Sequence, residues 1–325
     1  MSHRIRMISA GEIVGIVNMQ QAIDIMSDIF GQLSEGKVIM PLRMVSEIEN
    51  LTLLYKPAAS VQEKVVGIKI LSQVENNRAI KMPVIQGLVF LIDLTDGRFL
   101  SLMDGTYLTA IRTGAASGLA TRLLARKDAN VAAIFGAGAQ GRTQLMAIDA
   151  VCNPERVYIY DINETAIKDF TAEMQSKVKA EIIKGKNADL KEADVICTAT
   201  GSEEPLFSIN DIKQGVHINA IGSFKSNMQE IDPAIVASSK LYLDHKDSVI
   251  KESGDIIRPI ESGIISEEHI LGEIGDVVIG KVNGRLSDND ITLFKSVGTA
   301  VQDLAMAYAI YQYAEEKDIG QIIYL

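Results

Sequence analysis

The apolar run Val131–Phe135, leading straight into Gly136-Ala137-Gly138-Ala139-Gln140-Gly141, limits the folds open to this chain more than any other stretch. In such a strand-to-helix junction the first glycine permits a tight turn and the second lets a pyrophosphate approach the backbone. The third lets helix and strand pack closely. The helix start also offers unpaired amides and a partial positive charge to phosphate. Asp161 ends the next expected strand, about 20 residues beyond Gly141. A carboxylate there accepts hydrogen bonds from a ribose and repels a 2′-phosphate, so NAD is the expected cofactor and NADP is disfavoured. The competing reading is a glycine turn in an unrelated α/β domain, with Asp161 serving only as a helix cap.

The flanking pattern supports the nucleotide reading. Helices are expected at 140–151 and 166–179, and strands at 156–160, 181–183, 195–198, 216–220 and 240–244. Short apolar strands alternating with helices imply a parallel sheet covered on both faces. Thr198, Ala199 and Thr200 end a strand expected to flank the nicotinamide side, where hydroxyl and backbone contacts to cofactor are assigned. Thr113 and Asn227 complete the candidate cofactor set.

The earlier part of the chain reads differently. Residues 18–33 carry apolar side chains at helical spacing, with Asn18 as the cap. Residues 51–55, 65–70 and 88–92 are short β-rich runs, and Asp96-Gly97 is a hairpin turn joining 88–93 to 99–103. A helix at 108–125 is rich in small residues, including Ala110, Gly114, Ala115 and Gly118. Glycine inside a helix costs up to ~1 kcal/mol relative to alanine, so these residues point to a close backbone neighbour and a crossing between domains. A tightly packed helix would suit the same residues. The last helical run, 296–313, is expected to fold back over the N-terminal sheet, with a terminal strand at 321–325.

Bulk properties narrow the class. A net charge of −10, from 32 basic and 42 acidic residues, argues against nucleic-acid binding. No window reaches the ~18 apolar residues of a membrane span. Met1 to Ser9 is polar and basic, so no secretory signal is expected. The two cysteines, Cys152 and Cys197, suit the reducing cytoplasm and read as inert packing. The histidines His3, His217, His245 and His269 lie too far apart for a local metal motif, and no metal is expected. HExxH, serine-elbow and Walker patterns are absent.

Arg43, Lys69 and Arg112 are cations among apolar and small neighbours, and alternation puts Lys69 opposite Ile68 and Ile70. Such a cluster would bind a small carboxylate, arginine with paired donors and lysine with a compact charge. Taken alone, each residue suits a surface or salt-bridging role better than a ligand role.

Several blocks together resemble the ornithine cyclodeaminase/mu-crystallin family: Gly67-Ile68-Lys69, residues 104–115, the glycine loop, Glu252-Ser253-Gly254-Asp255, residues 272–276 and residues 296–305. The resemblance spans nearly the whole chain. It implies α/β architecture: a Rossmann-type NAD(P)-binding domain at 116–304, plus an α+β substrate-binding and dimerisation domain at 1–115 with 305–325. It also implies a homodimer and a small amino or imino acid as substrate. Arg43, Lys69 and Arg112 match carboxylate-binding positions, Lys69 lies near the reacting carbon, and Asp303 matches a position near nicotinamide and substrate. Lys69 and Asp303 are the candidate catalytic pair.

Ornithine cyclodeaminases resemble one another in an aspartate soon after the glycine matching Gly222, and here Phe224 takes that place. The stretch is more similar to ketimine and pyrroline-2-carboxylate reductases, although Ser226-Asn227 stands where Pro-Asp is expected. The expected function is reduction of a small cyclic imino acid. The alternatives are ornithine cyclodeaminase, an NAD-dependent alanine or related amino-acid dehydrogenase, and a non-catalytic mu-crystallin-like binding protein.

Overall fold

Alternation of side chains builds the first sheet. In Val65–Gln73 the residues Val65, Gly67 and Lys69 are buried while Val66, Ile68 and Ile70 are half-buried, the period of a strand with two unlike faces. In the computed structural model, which describes residues 4–80 and 82–324, this strand lies inside an eight-stranded sheet. Its order is Gln321–Tyr324, Arg4–Ile8, Phe99–Asp104, Ile85–Asp93, Val65–Gln73, Leu51–Ser60 and Val38–Ile39, with Met44–Ile48 also paired to Leu51–Ser60. All pairings are antiparallel except Arg4–Ile8 with Phe99–Asp104. The expected hairpin is present, with Gly97 at φ 76° in its turn. His3 and Leu325 lie outside the described residues.

The Met19–Ser34 helix starts as expected, with Asn18 Oδ1 accepting from Gln21 N at 2.9 Å. The last helix, Ala300–Lys317, packs over Val65–Gln73 so closely that a Cβ on Gly67 would stand 2.9 Å from Leu304 Cδ1. It begins later than the expected 296, because Asp244 Oδ2 takes Ser296 Oγ, Val297 N and Gly298 N at 2.7, 3.0 and 2.7 Å. Those donors are therefore withheld from a helical turn. The strand Arg4–Ile8 was masked by its charges; Arg6 is buried against Glu315 and Asp318, more than 300 residues away in sequence.

The chain divides into two units, Met1–Arg112 with Thr299–Leu325, and Thr113–Gly298. The helix Gly105–Leu124 contributes residues to both. Within the second unit, a Cβ on Gly114 would stand 2.6 Å from Thr143 O, the close backbone neighbour the small residues called for.

The second unit holds eight parallel strands in the order Glu181–Lys184, Arg156–Tyr160, Val131–Phe135, Val195–Thr198, His217–Ala220, Thr292–Lys295, Lys240–Leu243 and Ile270–Glu273. From Val131–Phe135 the chain steps outward first through Arg156–Tyr160 and Glu181–Lys184, then on the other side through Val195–Thr198 and His217–Ala220. The topological switch therefore lies between Val131–Phe135 and Val195–Thr198, and Thr292–Lys295 is inserted before Lys240–Leu243. The core forms apolar clusters that include Ile196, Ile218 and Leu293 in one and Ile134, Ile159 and Phe170 in another. Two strands escaped the sequence reading. Thr292–Lys295 ends in a lysine whose buried partner, Asp255, lies 40 residues away. Ile270–Glu273 is a short edge strand broken by Gly272. The helix expected at 166–179 stops at Met174, because Gln175 turns its amide to Ala180 O and Ile182 N.

Candidate functional site

In the first unit, Lys69 projects from the buried face of Val65–Gln73, beneath the start of the Ala300–Lys317 helix. Its Nζ donates to Asp303 Oδ1 at 2.7 Å and to Thr109 Oγ1 at 3.1 Å. Arg112 Nε donates to the same Asp303 oxygen at 2.9 Å, and its Nη1 donates to Gln302 Oε1 at 3.0 Å. Lys69, Arg112, Gln302 and Asp303 are each at least nine-tenths buried, and Thr109 is half-buried. Asp303 sits in the first turn of its helix, where the backbone dipole favours a carboxylate. The boundary expected after residue 304 would have put Asp303 in the nucleotide domain; its side chain is instead committed to Lys69 and Arg112.

Lys56 was not singled out in the sequence, yet it is buried and is the direct register partner of Lys69 across the sheet. Like charges directly opposite one another work against a sheet, and Asp303 offsets this on the Lys69 side. The signal was available in principle, since both lysines interrupt β-rich runs, but only the register shows that they face each other. Burial pushes the Lys69 ammonium well below its ordinary pKa; Asp303 opposes this, and Arg112 and Lys56 add to it. Burial works to raise Asp303, but Lys69, Arg112 and Lys56 outweigh it and hold the carboxyl below its usual range. Asp303 is therefore held as an anion beside Lys69, Arg112 and Lys56.

The cluster leaves groups open among the described residues. Asp303 Oδ2 has no hydrogen-bond partner. Arg112 Nη2 has none, and one of the three hydrogens on Lys69 is unused. Arg43 is half-buried one residue before Met44, whose register partner Tyr55 adjoins Lys56. Direct hydrogen bonds join Lys69, Arg112 and Asp303, and the strand register places Arg43 beside the Tyr55-Lys56 stretch.

In the second unit the glycine loop follows Val131–Phe135 at the switch point. Gly136 adopts φ 103°, and a Cβ there would stand 2.5 Å from Ala199 O. A Cβ on Gly141 would lie 2.0 Å from Gly136 O, so only glycine permits this packing. Gly138 is different: a Cβ there meets nothing within 4 Å. It is also the N-cap of Ala139–Cys152, and it supplies no side-chain cap. Exposed Gly138 and Ala139, with Gln140 beside them, thus present uncapped amides to open space, and these residues fit a dinucleotide pyrophosphate.

Asp161 Oδ2 accepts from Ala137 N, and Oδ1 accepts from Asn163 N, both at 2.8 Å. The helix cap is Asn163, which accepts from Thr165 N and Ala166 N, so Asp161 is not the cap. Each Asp161 oxygen keeps a lone pair beyond its amide bond. Thr113 adjoins Gly114 in the helix packed against Thr143.

The nicotinamide-side assignments are organised by Glu230, which sequence reasoning missed. Its Oε1 accepts from Thr200 N and Oγ1 at 2.6 and 2.8 Å. Its Oε2 accepts from Thr198 Oγ1, Gly222 N and Ser223 N at 2.9, 2.7 and 3.1 Å. The Thr198 hydroxyl expected to serve cofactor is thus fully buried and already donates inward. Burial raises the Glu230 pKa; Lys295 opposes this and Asp255 adds to it. Asp255 in turn accepts from Glu230 N, Ile231 N and Lys295 Nζ. Asn227 is exposed, and its amide donates to Glu203 Oε1 at 2.7 Å. Phe224 is half-buried against the apolar core.

Neither cysteine is reactive by environment: burial pushes Cys152 up to about 11 and Cys197 up to about 12. Among the described residues no helix is long and apolar enough to cross a membrane, and no group of three His, Cys, Asp or Glu is placed to hold a metal.

Comparison with known proteins adds to this geometry. The model of the ornithine cyclodeaminase/mu-crystallin family matches residues 4–318. A Bacillus cereus protein named Delta(1)-pyrroline-2-carboxylate reductase is 36% identical over 321 residues, covering 97% of this chain and 98% of its own. The structure of the Thermococcus litoralis Delta(1)-pyrroline-2-carboxylate reductase, in complex with NADH and L-proline, superposes with a TM-score of 0.94 at 38% identity, covering 98% of this chain and 99% of that one. An archaeal alanine dehydrogenase dimer with bound NAD gives 0.91 at 31% identity, covering 98% and 99%.

Proposed function

This chain belongs to the ornithine cyclodeaminase/mu-crystallin family, and on that premise we propose that it reduces Δ1-pyrroline-2-carboxylate, or a cyclic imino acid of similar size, with NADH. It is an NAD(P)-dependent oxidoreductase acting on a CH–NH group. The observation that carries the substrate reading is the set of unused groups around Asp303: donors on Arg112 and Lys69, and one acceptor, Asp303 Oδ2. A protonated cyclic imine bearing a 2-carboxylate supplies the complement, two acceptor oxygens beside one N–H donor.

The bound dinucleotide supplies the hydride. Arg112 and Lys69 hold the substrate carboxylate and so fix the imine carbon in place. Asp303 Oδ2 accepts the iminium N–H, which keeps the nitrogen protonated and the carbon electrophilic. Because Lys69, Arg112 and Lys56 hold the Asp303 carboxyl below its usual range, it is a weak base that orients that proton rather than removing it. The balance is imine, NADH and one proton giving the cyclic amino acid and NAD⁺. Thr109 Oγ1 accepts from Lys69, donates to Gly105 O at 2.6 Å, and so anchors the lysine.

We assign NAD over NADP from Asp161, whose carboxylate at the end of Arg156–Tyr160 disfavours a 2′-phosphate. Gly136, Gly138, Ala139, Gln140 and Gly141 serve the pyrophosphate, with Ala199 and Thr200 on the nicotinamide side. We further propose a homodimer formed through the sheet face of the first unit that carries Ile68, Ile70, Phe90 and the exposed Leu88. A face this apolar supports association, and light scattering tests it.

Cyclodeamination is the weaker reading, because Phe224 brings no carboxylate to its loop and Glu230 is committed to five donors. The deciding assay compares NADH oxidation with Δ1-pyrroline-2-carboxylate against ammonia release from ornithine with catalytic NAD. Proline formed mole for mole with NADH consumed supports the proposal; ammonia and proline from ornithine without net NADH use overturns it.

A further inference from the structure

Gln302 sits beside Asp303 in the first turn of Ala300–Lys317 and is fully buried. Its Oε1 accepts from Thr299 N at 2.7 Å and from Arg112 Nη1 at 3.0 Å. Both neighbours are donors, so the carboxamide cannot be flipped, and its NH2 must occupy the other side. That nitrogen has no partner among the described residues. A buried donor left unsatisfied is a net loss to folding, and glutamate would satisfy Thr299 and Arg112 equally well without it. The amide nitrogen is therefore the part of Gln302 that the fold does not explain.

Covalent geometry limits where this nitrogen lies. It is bonded to the same carbon as an oxygen in contact with Arg112 Nη1, and it is one residue from the unpaired Asp303 Oδ2. We infer that Gln302 is a further substrate-binding residue, donating through Nε2 to the carboxylate of an α-imino acid and fixing the plane of the Arg112 guanidinium that shares it. This rests on the reading proposed above. In it the guanidinium is bracketed by two neighbouring acceptors, Gln302 Oε1 and Asp303 Oδ1, which leaves Nη2 for the ligand. The neutral amide adds a donor without cancelling the positive charge that draws the anion.

Two variants separate recognition from support. Gln302→Glu keeps an acceptor for Arg112 and Thr299 but replaces the donor with negative charge. Gln302→Met removes both. The probes are the substrate Δ1-pyrroline-2-carboxylate and two planar inhibitors, pyrrole-2-carboxylate and its uncharged methyl ester, with the NADH Kd and Tm measured alongside. Both variants are expected to raise the substrate KM and the pyrrole-2-carboxylate Ki by about 10- to 100-fold, the loss of one hydrogen bond to a charged group. The methyl ester Ki and the NADH Kd should move less than about threefold.

If Gln302→Glu retains the wild-type KM and the preference for carboxylate over ester, the amide is structural and the inference is wrong. Should the methionine variant fail to fold, the glutamate variant still decides; should the glutamate variant fail, the carboxylate-to-ester ratio of the methionine variant decides. Wild-type protein that binds pyrrole-2-carboxylate in a Gln302-dependent way but does not reduce the imine would leave this inference standing and overturn the proposed reaction.

Discussion

Lys69 Nζ lies 2.7 Å from Asp303 Oδ1 across 234 residues of sequence, and that same oxygen also receives Arg112 Nε. One carboxylate oxygen thus restrains two buried cations while its other oxygen remains unpaired. A pair built for stability alone would use both oxygens, because a buried ion pair only repays its desolvation when its remaining hydrogen bonds are made.

Asp303→Asn should therefore harm both fold and reaction. Removing one partner of a buried pair costs up to about 3–5 kcal/mol, less whatever Lys69 recovers by giving up its proton. We expect a lower Tm and at least about a 100-fold fall in kcat/KM. Thermal unfolding and steady-state assays on the same preparation check this.

Lys56 presses on Lys69 from the facing strand. Lys69 must be protonated to hold a carboxylate, so kcat/KM should fall as pH rises through its depressed pKa. In Lys56→Met one like charge is gone, and the alkaline limb should move to higher pH. A pH profile of kcat/KM for the two proteins measures the displacement; an unmoved limb would separate Lys56 from Lys69.

The glycine loop gives a paired test. Gly138→Val places its side chain in open space, so Tm should stay near wild type while NADH binding is lost, because the pyrophosphate needs that space. Gly141→Ala meets backbone at Gly136 O and should lose stability as well as binding. Calorimetric titration with NADH, set beside thermal melts, distinguishes the two.

His217 sets an acid limit on stability. Burial, and next Arg285, push its pKa down to about 3 from 6.5, while Asn219 and Thr292 partly oppose this. Above 6.5 neither folded nor unfolded state binds the proton; between 6.5 and about 3 only the unfolded state does. Its contribution is thus fully present above 6.5 and is lost on acidification through that window, at up to about 1.4 kcal/mol per pH unit. Urea midpoints at pH 7 and pH 5 should show a smaller difference in His217→Gln than in the wild type.

Much of this was legible in residues that act locally. The glycine loop and the Asp96-Gly97 turn carry their geometry in adjacent positions, and Asn18 caps the helix beside it. What the sequence hid depends on distant partners. Lys295 reads as the end of an apolar run until Asp255 is placed against it, and Glu230 gains meaning only when Thr198, Thr200, Gly222 and Ser223 converge on its two oxygens. Lys69 was visible by alternation, whereas Lys56 needed the strand register.

The most direct test follows the hydride itself. The protein is given NADH deuterated at nicotinamide C4, on each face in turn, with Δ1-pyrroline-2-carboxylate, and the proline formed is examined by mass spectrometry and NMR. The account predicts one deuterium at C2 of proline per labelled NADH consumed, from one face only, and none of this transfer in Arg112→Met. Proline without deuterium from either face, or no NADH consumed with any cyclic imino acid, would contradict it.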